Sequence, residues 1–135
     1  MSGCDADAYA ELQAWSLSPV GYPCHQFVVD ATAARTASPG DKAIRLAFAL
    51  AGLYLHVECG LDGLAIQRMH QRMAEVRREW PRFVLAPATG ALGPAAILAL
   101  AGAQRPAAID AWCAEVWADY AESQDEIRAM TDPWR

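Results

Sequence analysis

One segment of the chain, residues 43–60, is far more apolar than the rest. Its middle reads LAFALAGLYLHV, and the polar residues His56, Glu58 and Cys59 appear only towards its end. A helix that is apolar on every side is enclosed by other elements. The pattern therefore predicts a central helix. The polar groups of its last turn are predicted to be shielded from water and to need partners.

Elsewhere the pattern is helical, because almost no stretch alternates apolar and polar residues with β-branched side chains. Asp41 is the expected N-cap of the central helix and Gly60 its expected stop, and Asp62 is the expected N-cap of the third long helix. A last long, amphipathic helix begins at Pro106 and carries Ile127 on its apolar side. The fold class is predicted to be all-α, a compact antiparallel helical bundle of about five to six helices around the central apolar helix (43–60). The other helices are expected over about 5–15, 23–34, 62–80 and 94–102.

The 135 residues form a single predicted domain, 1–135, long enough to fold without disulfides or metals. Cys4, Cys24, Cys59 and Cys113 are far apart and form no CxxC pair. The acidic N-terminus has no apolar run that resembles a signal peptide. We therefore expect reduced cysteines and a cytoplasmic location.

Charge and hydropathy limit the partners of the protein. The longest apolar stretch has about a dozen residues, well short of the roughly 20 that cross a bilayer, so no membrane span is expected. The net charge is −5, with a single lysine, which gives nucleic-acid binding little electrostatic support. The third helix is rich in arginine and the last helix is acidic. Pairing within the chain explains this contrast, and a homodimer is the alternative.

The three histidines, His25, His56 and His70, are candidates for one shared polar site. If consecutive helices pack antiparallel, the three lie within roughly 4, 6 and 12 Å of the same end of the bundle. Imidazoles at such positions, with Glu58, Cys59 or Asp30 as further candidates, suit zinc, nickel or iron. The alternative is that each histidine simply forms a hydrogen bond inside the bundle, since no HExxH or other repeated ligand spacing is present.

Several sequence motifs together resemble a known family. They are HQFVVDATAA, the apolar helix ending GLYLHVECG, a WP pair, an LGP-type turn and a final AWCAEVWADY helix. The set is similar to an uncharacterised bacterial family catalogued only as a domain of unknown function, over about residues 22–130. The family pattern often includes two close N-terminal cysteines and a late histidine. This chain has only Cys4 at its start, and Ser123 and Gln124 near the second position. The resemblance implies the helical fold and no particular activity.

Two functions remain open from the sequence. The first is a small helical binding or interaction module, with a small molecule held by His25, His56, His70 and Glu58 or in an apolar gap beside Trp112 and Trp117. The second is a metal-dependent enzyme, hydrolytic or oxidative, that uses the three histidines as ligands.

Overall fold

The computed structural model describes residues 3–135, with side chains from Asp5 onward; Cys4 lies outside the described side chains. Every regular element in this range is helical, which confirms the all-α bundle. The seven α-helices are α1 (Gly3–Ser16), α2 (His25–Arg35), α3 (Ala43–Val57), α4 (Gly63–Val76), α5 (Pro94–Leu98), α6 (Arg105–Asp119) and α7 (Gln124–Thr131). Single turns of 3₁₀ helix precede α2, α6 and α7 and follow α7.

The predicted central helix is α3. Nine of its fifteen residues are buried, and it contacts α2, α4, α6 and α7, so its apolar surface is covered from several directions. The helix ends at Val57, and Gly60 then adopts a φ of 71°. This left-handed conformation favours glycine and explains the stop that follows the helix. Among the described helices, none is long and apolar enough to span a membrane.

The two predicted N-caps have different outcomes. Asp62 caps α4 as expected, accepting a hydrogen bond from the Ala65 backbone N–H at 2.9 Å. The prediction for Asp41 is wrong, because Lys42 occupies the N-cap position of α3. The Asp41 carboxylate lies one residue too early, and it accepts instead from the Ser38 backbone N–H at 3.0 Å and from Arg45 at 2.9 Å.

The third long helix is shorter than the sequence pattern suggests. α4 ends at Val76, where Arg77 turns to an extended conformation, and not near Trp80. Trp80 instead packs edge-on against Phe48 of α3, with ring centroids 4.8 Å apart. Pro81 disfavours a helical conformation at the residue before it, and packing of the indole stabilises the extended path. α5 also ends early, at Leu98 rather than near Gly102.

The last helix is not continuous, contrary to the prediction. α6 ends at Asp119, and α7 begins after a 3₁₀ turn. Two side chains hold this break, because the Tyr120 hydroxyl donates to the carbonyl of Ala34 at 2.9 Å and the Gln124 amide donates to the carbonyl of Trp117 at 2.9 Å. The break lets α7 return to α3 and bury Ile127.

Candidate functional site

His56, in the last turn of α3, is held by neighbours from other helices. Its Nε2 lies 2.8 Å from Asp110 Oδ1, and its Nδ1 lies 3.4 Å from the carbonyl of Leu61. The imidazole stacks on Phe27 of α2, with ring centroids 3.7 Å apart. Both ring nitrogens therefore face an acceptor within the chain, and the side chain links α3 to α6.

His25 is held separately at the start of α2. Its Nδ1 lies 3.0 Å from the hydroxyl of Ser16 at the end of α1, and its ring stacks on Tyr22 with centroids 5.9 Å apart. These contacts fix the corner between α1 and α2.

Hydrogen bonds of Glu58 and Trp117 connect the end of α3 to α6 and α7. The Trp117 indole N–H donates to Glu58 Oε2 at 2.7 Å, and Arg128 of α7 donates to both carboxylate oxygens, at 2.7 and 3.0 Å. These hydrogen bonds, the Arg128 bond first, hold the pKa of Glu58 below its ordinary value. The predicted ligand-binding residues Glu58 and Trp117 thus have partners within the chain. Trp112 is fully buried in the core and packs against Tyr9.

The structure does not bring the three histidines together. His25 and Phe27 are two residues apart on α2 and point to different sides of the helix, so His25 faces α1 while His56 stacks on Phe27. Within the described part of the chain, no three His, Cys, Asp or Glu side chains form a group that could hold a metal ion.

His70 differs from the other two histidines. It lies largely buried on α4 and stacks on Phe48 of α3, with ring centroids 4.6 Å apart. Its Nε2 is buried and has no hydrogen-bond partner. Burial lowers the pKa of the imidazole to about 4, against the opposite effect of a hydrogen bond with the Phe48 backbone. His70 is therefore uncharged at neutral pH.

Asp30 of α2 is a buried carboxyl group with an incomplete set of hydrogen bonds. Its Oδ1 accepts from the Gln26 amide at 3.0 Å, and its Oδ2 has no partner. The Oδ2 atom packs against Gly52 of α3, where an added Cβ would lie only 1.9 Å away. Burial raises the pKa of Asp30 well above its ordinary value, although the Gln26 hydrogen bond acts in the opposite direction.

A cavity of about 350 Å³ lies between α2, α3 and α4, and we call it the polar cavity. In the described residues, six side-chain nitrogen or oxygen atoms are buried without a partner, and three of them belong to residues that line this one cavity. These three residues are Asp30, Thr32 and His70. Phe48 adds an aromatic wall, and Gln26 lies beside Asp30. The lining can donate and accept hydrogen bonds around an apolar ring surface.

Sequence reasoning identified this site only in part. The sequence pattern indicates His70 and, as a further candidate, Asp30, but it does not single out Thr32. The available signal was the pattern VVDATAA, in which Asp30 and Thr32 stand among small apolar residues of a helix packed against the core. The partners of His56 and Glu58 could not be anticipated, because Asp110 and Arg128 lie 54 and 70 residues further along the chain.

A family model described as "Family of unknown function (DUF5946)" matches residues 2–121. The chain therefore belongs to this family. No curated protein and no solved structure matches it.

Proposed function

We propose that this member of the family is a binding module for a small uncharged molecule, which occupies the polar cavity. The observation that supports the proposal is that three residues with an unpartnered buried polar atom, Asp30, Thr32 and His70, all line one cavity. A buried polar group without a hydrogen bond costs about 1–3 kcal/mol. A ligand that supplies the missing partners recovers part of this cost as binding free energy.

Charge and shape narrow the chemistry of the ligand. His70 is neutral at pH 7, the raised pKa of Asp30 favours its neutral form, and the charge of Arg45 in the lining is paired with Asp41, so the polar cavity favours an uncharged ligand. The stacked rings of Phe48 and His70 offer a flat apolar wall. We therefore propose a small ring compound that carries adjacent donor and acceptor groups, such as an amide. A volume of about 350 Å³ is at the small end of ordinary ligand sites.

Benzamide is a suitable probe, because it combines a flat ring with a donor and an acceptor. We expect saturable amide chemical-shift changes in α2, α3 and α4, with a Kd on the order of 1 mM, as is typical of a fragment. Toluene, which has the ring without the amide, is expected to bind more weakly. The Ala33→Trp variant fills the cavity and is expected to abolish the changes. Ala107→Trp, at an exposed position of α6, is the matched control.

A second variant separates binding from stability. Thr32→Val removes a buried hydroxyl that has no partner and preserves the shape of the side chain. We expect the free energy of unfolding to rise by about 1 kcal/mol while benzamide binds more weakly. Absence of saturable shifts in the wild-type protein, or equal shifts in Ala33→Trp, would contradict the proposal.

Other expectations about the protein stay predictions. They are the cytoplasmic location, the homodimer, the lack of nucleic-acid binding and the metal-dependent alternative with His25, His56 and His70 as ligands. Metal analysis of untagged protein together with melting curves with and without a chelator tests the last of these. Stoichiometric metal that is lost in His56→Ala would favour the metal-dependent enzyme over the binding module.

A further inference from the structure

A second and larger concavity of about 670 Å³ lies between α1, the end of α2 and the connector that leads into α5. We call it the alanine cleft, because six of its lining residues are alanines. Tyr9 and Leu92 add apolar surface, and Arg35 lies in the wall. The volume falls in the usual range for sites that hold small organic molecules.

Arg35 has unused hydrogen-bonding capacity in this wall. Its side chain is only 9 % exposed, and its Nη1 donates to Asp119 Oδ2 at 2.7 Å. Its Nη2 is buried and has no partner. A guanidinium presents five N–H donors in a rigid fork, so the unpaired Nη2 of a residue in the cleft wall is a charge-assisted donor for an oxygen atom.

The charges around Arg35 indicate whether the cleft favours a neutral or an anionic oxygen acceptor. Burial alone would raise the pKa of Asp119, but hydrogen bonds from Thr89 and Arg35 hold it below the ordinary value. Asp119 is therefore ionised at neutral pH and balances the guanidinium charge. Since the cleft has no net positive charge, its field favours a neutral acceptor over an anion.

We infer that the alanine cleft binds an uncharged acyl compound, whose carbonyl oxygen accepts a hydrogen bond from Arg35 Nη2. The short apolar chain of the compound lies along the alanine wall, beside Tyr9. This site is separate from the polar cavity, because the two share no lining residue.

Three probes of equal chain length test the charge preference. They are hexanamide, hexanoate and hexylamine, compared by amide chemical-shift titration at pH 7. We expect hexanamide to bind at least severalfold more tightly than the other two, with shifts around Tyr9 and Arg35. A preference for hexanoate or hexylamine would overturn the inference.

Variants then locate the site. Arg35→Lys keeps a positive charge beside Asp119 but lacks the second amino group, Nη2, of the guanidinium. We therefore expect it to weaken hexanamide binding about tenfold. Ala8→Trp fills the cleft and should abolish binding, whereas Ala10→Trp, at an exposed position of the same helix, should leave it unchanged. Thermal melting establishes that each variant is folded.

The Ala33→Trp variant distinguishes the two sites. Hexanamide is expected to bind Ala33→Trp and wild-type protein equally, because Ala33 lines only the polar cavity of the two. Loss of hexanamide binding in this variant, or its full retention in Ala8→Trp, would contradict a site in the alanine cleft.

Discussion

The last turn of α3 and the polar cavity both contain polar side chains, but only those of the last turn have all found hydrogen-bond partners. At the end of α3, His56 and Glu58 are met by Asp110, Arg128 and the indole of Trp117. In the polar cavity, Asp30 and His70 each keep a buried polar atom without a partner. The first region fastens helices to one another, whereas the second retains hydrogen-bonding capacity.

This difference shows that a polar residue in a buried setting is not by itself a sign of a ligand site. A partnered polar group has already compensated for its lost hydration, so a ligand gains little by contacting it. An unpartnered group still carries that cost. The proposed site therefore lies where partners are missing, and of the three histidines only His70 belongs to it.

The largest expected effect tests the neutral state of His70. Its folded-state pKa of about 4 lies below the ordinary value of 6.5, so the unfolded chain binds the proton more readily. Stability is therefore lost as the pH falls from about 6.5 to 4, by about 3 kcal/mol for this group. Chemical denaturation at several pH values measures the loss.

His70→Leu is the reference for this measurement, because leucine cannot titrate. Asp30 has the opposite dependence, since its raised pKa costs stability as the pH rises. The difference in the free energy of unfolding between wild type and His70→Leu therefore isolates the contribution of the histidine. Arg45, which lines the same cavity, keeps its charge over this pH range and affects both proteins alike. A pH-independent difference would show that His70 has the same pKa in the folded and the unfolded chain, as an exposed histidine does.

A smaller effect tests how tightly Asp30 is packed. Gly52→Ala places a Cβ 1.9 Å from Asp30 Oδ2, so we expect it to lower the free energy of unfolding by about 2 kcal/mol. On an exposed helix the same change would stabilise by about 1 kcal/mol. In an Asp30→Ala background the clash is absent, and Gly52→Ala should become neutral or stabilising. An equal loss in both backgrounds would mean that another neighbour, and not Asp30, limits the space.

The smallest expected effect tests the last turn of α3, where the polar side chains have partners. Glu58→Gln keeps an acceptor for the Trp117 indole but removes the charge that pairs with Arg128. We expect a loss of about 1 kcal/mol, because both side chains of the ion pair are about one third exposed. Benzamide binding should be unchanged in this variant. Weaker binding with an unchanged Tm would contradict the division between the two regions.

The sequence predicted helices better than it predicted their ends. The position of α3 was predictable, because a helix that is apolar on every side is stable only when other elements bury it. The end of α4 and the break after Asp119 depend on side chains that reach distant helices, such as Trp80 on Phe48 and Tyr120 on Ala34. Periodicity describes one segment at a time, so it cannot detect a contact that outweighs another helical turn.

From the sequence alone, the chain is an all-α bundle around one apolar helix, because that helix can be stable only when it is enclosed. The sequence also named His70 and Asp30 among its candidates. The tertiary structure alone decided which polar groups have partners, since Asp110 reaches His56 and Arg128 reaches Glu58 from more than 50 residues away. It also showed that Arg35 keeps an unpaired donor in a cleft. Hydrogen-bond partners are set by packing between helices, and that packing determines where hydrogen-bonding capacity is left over.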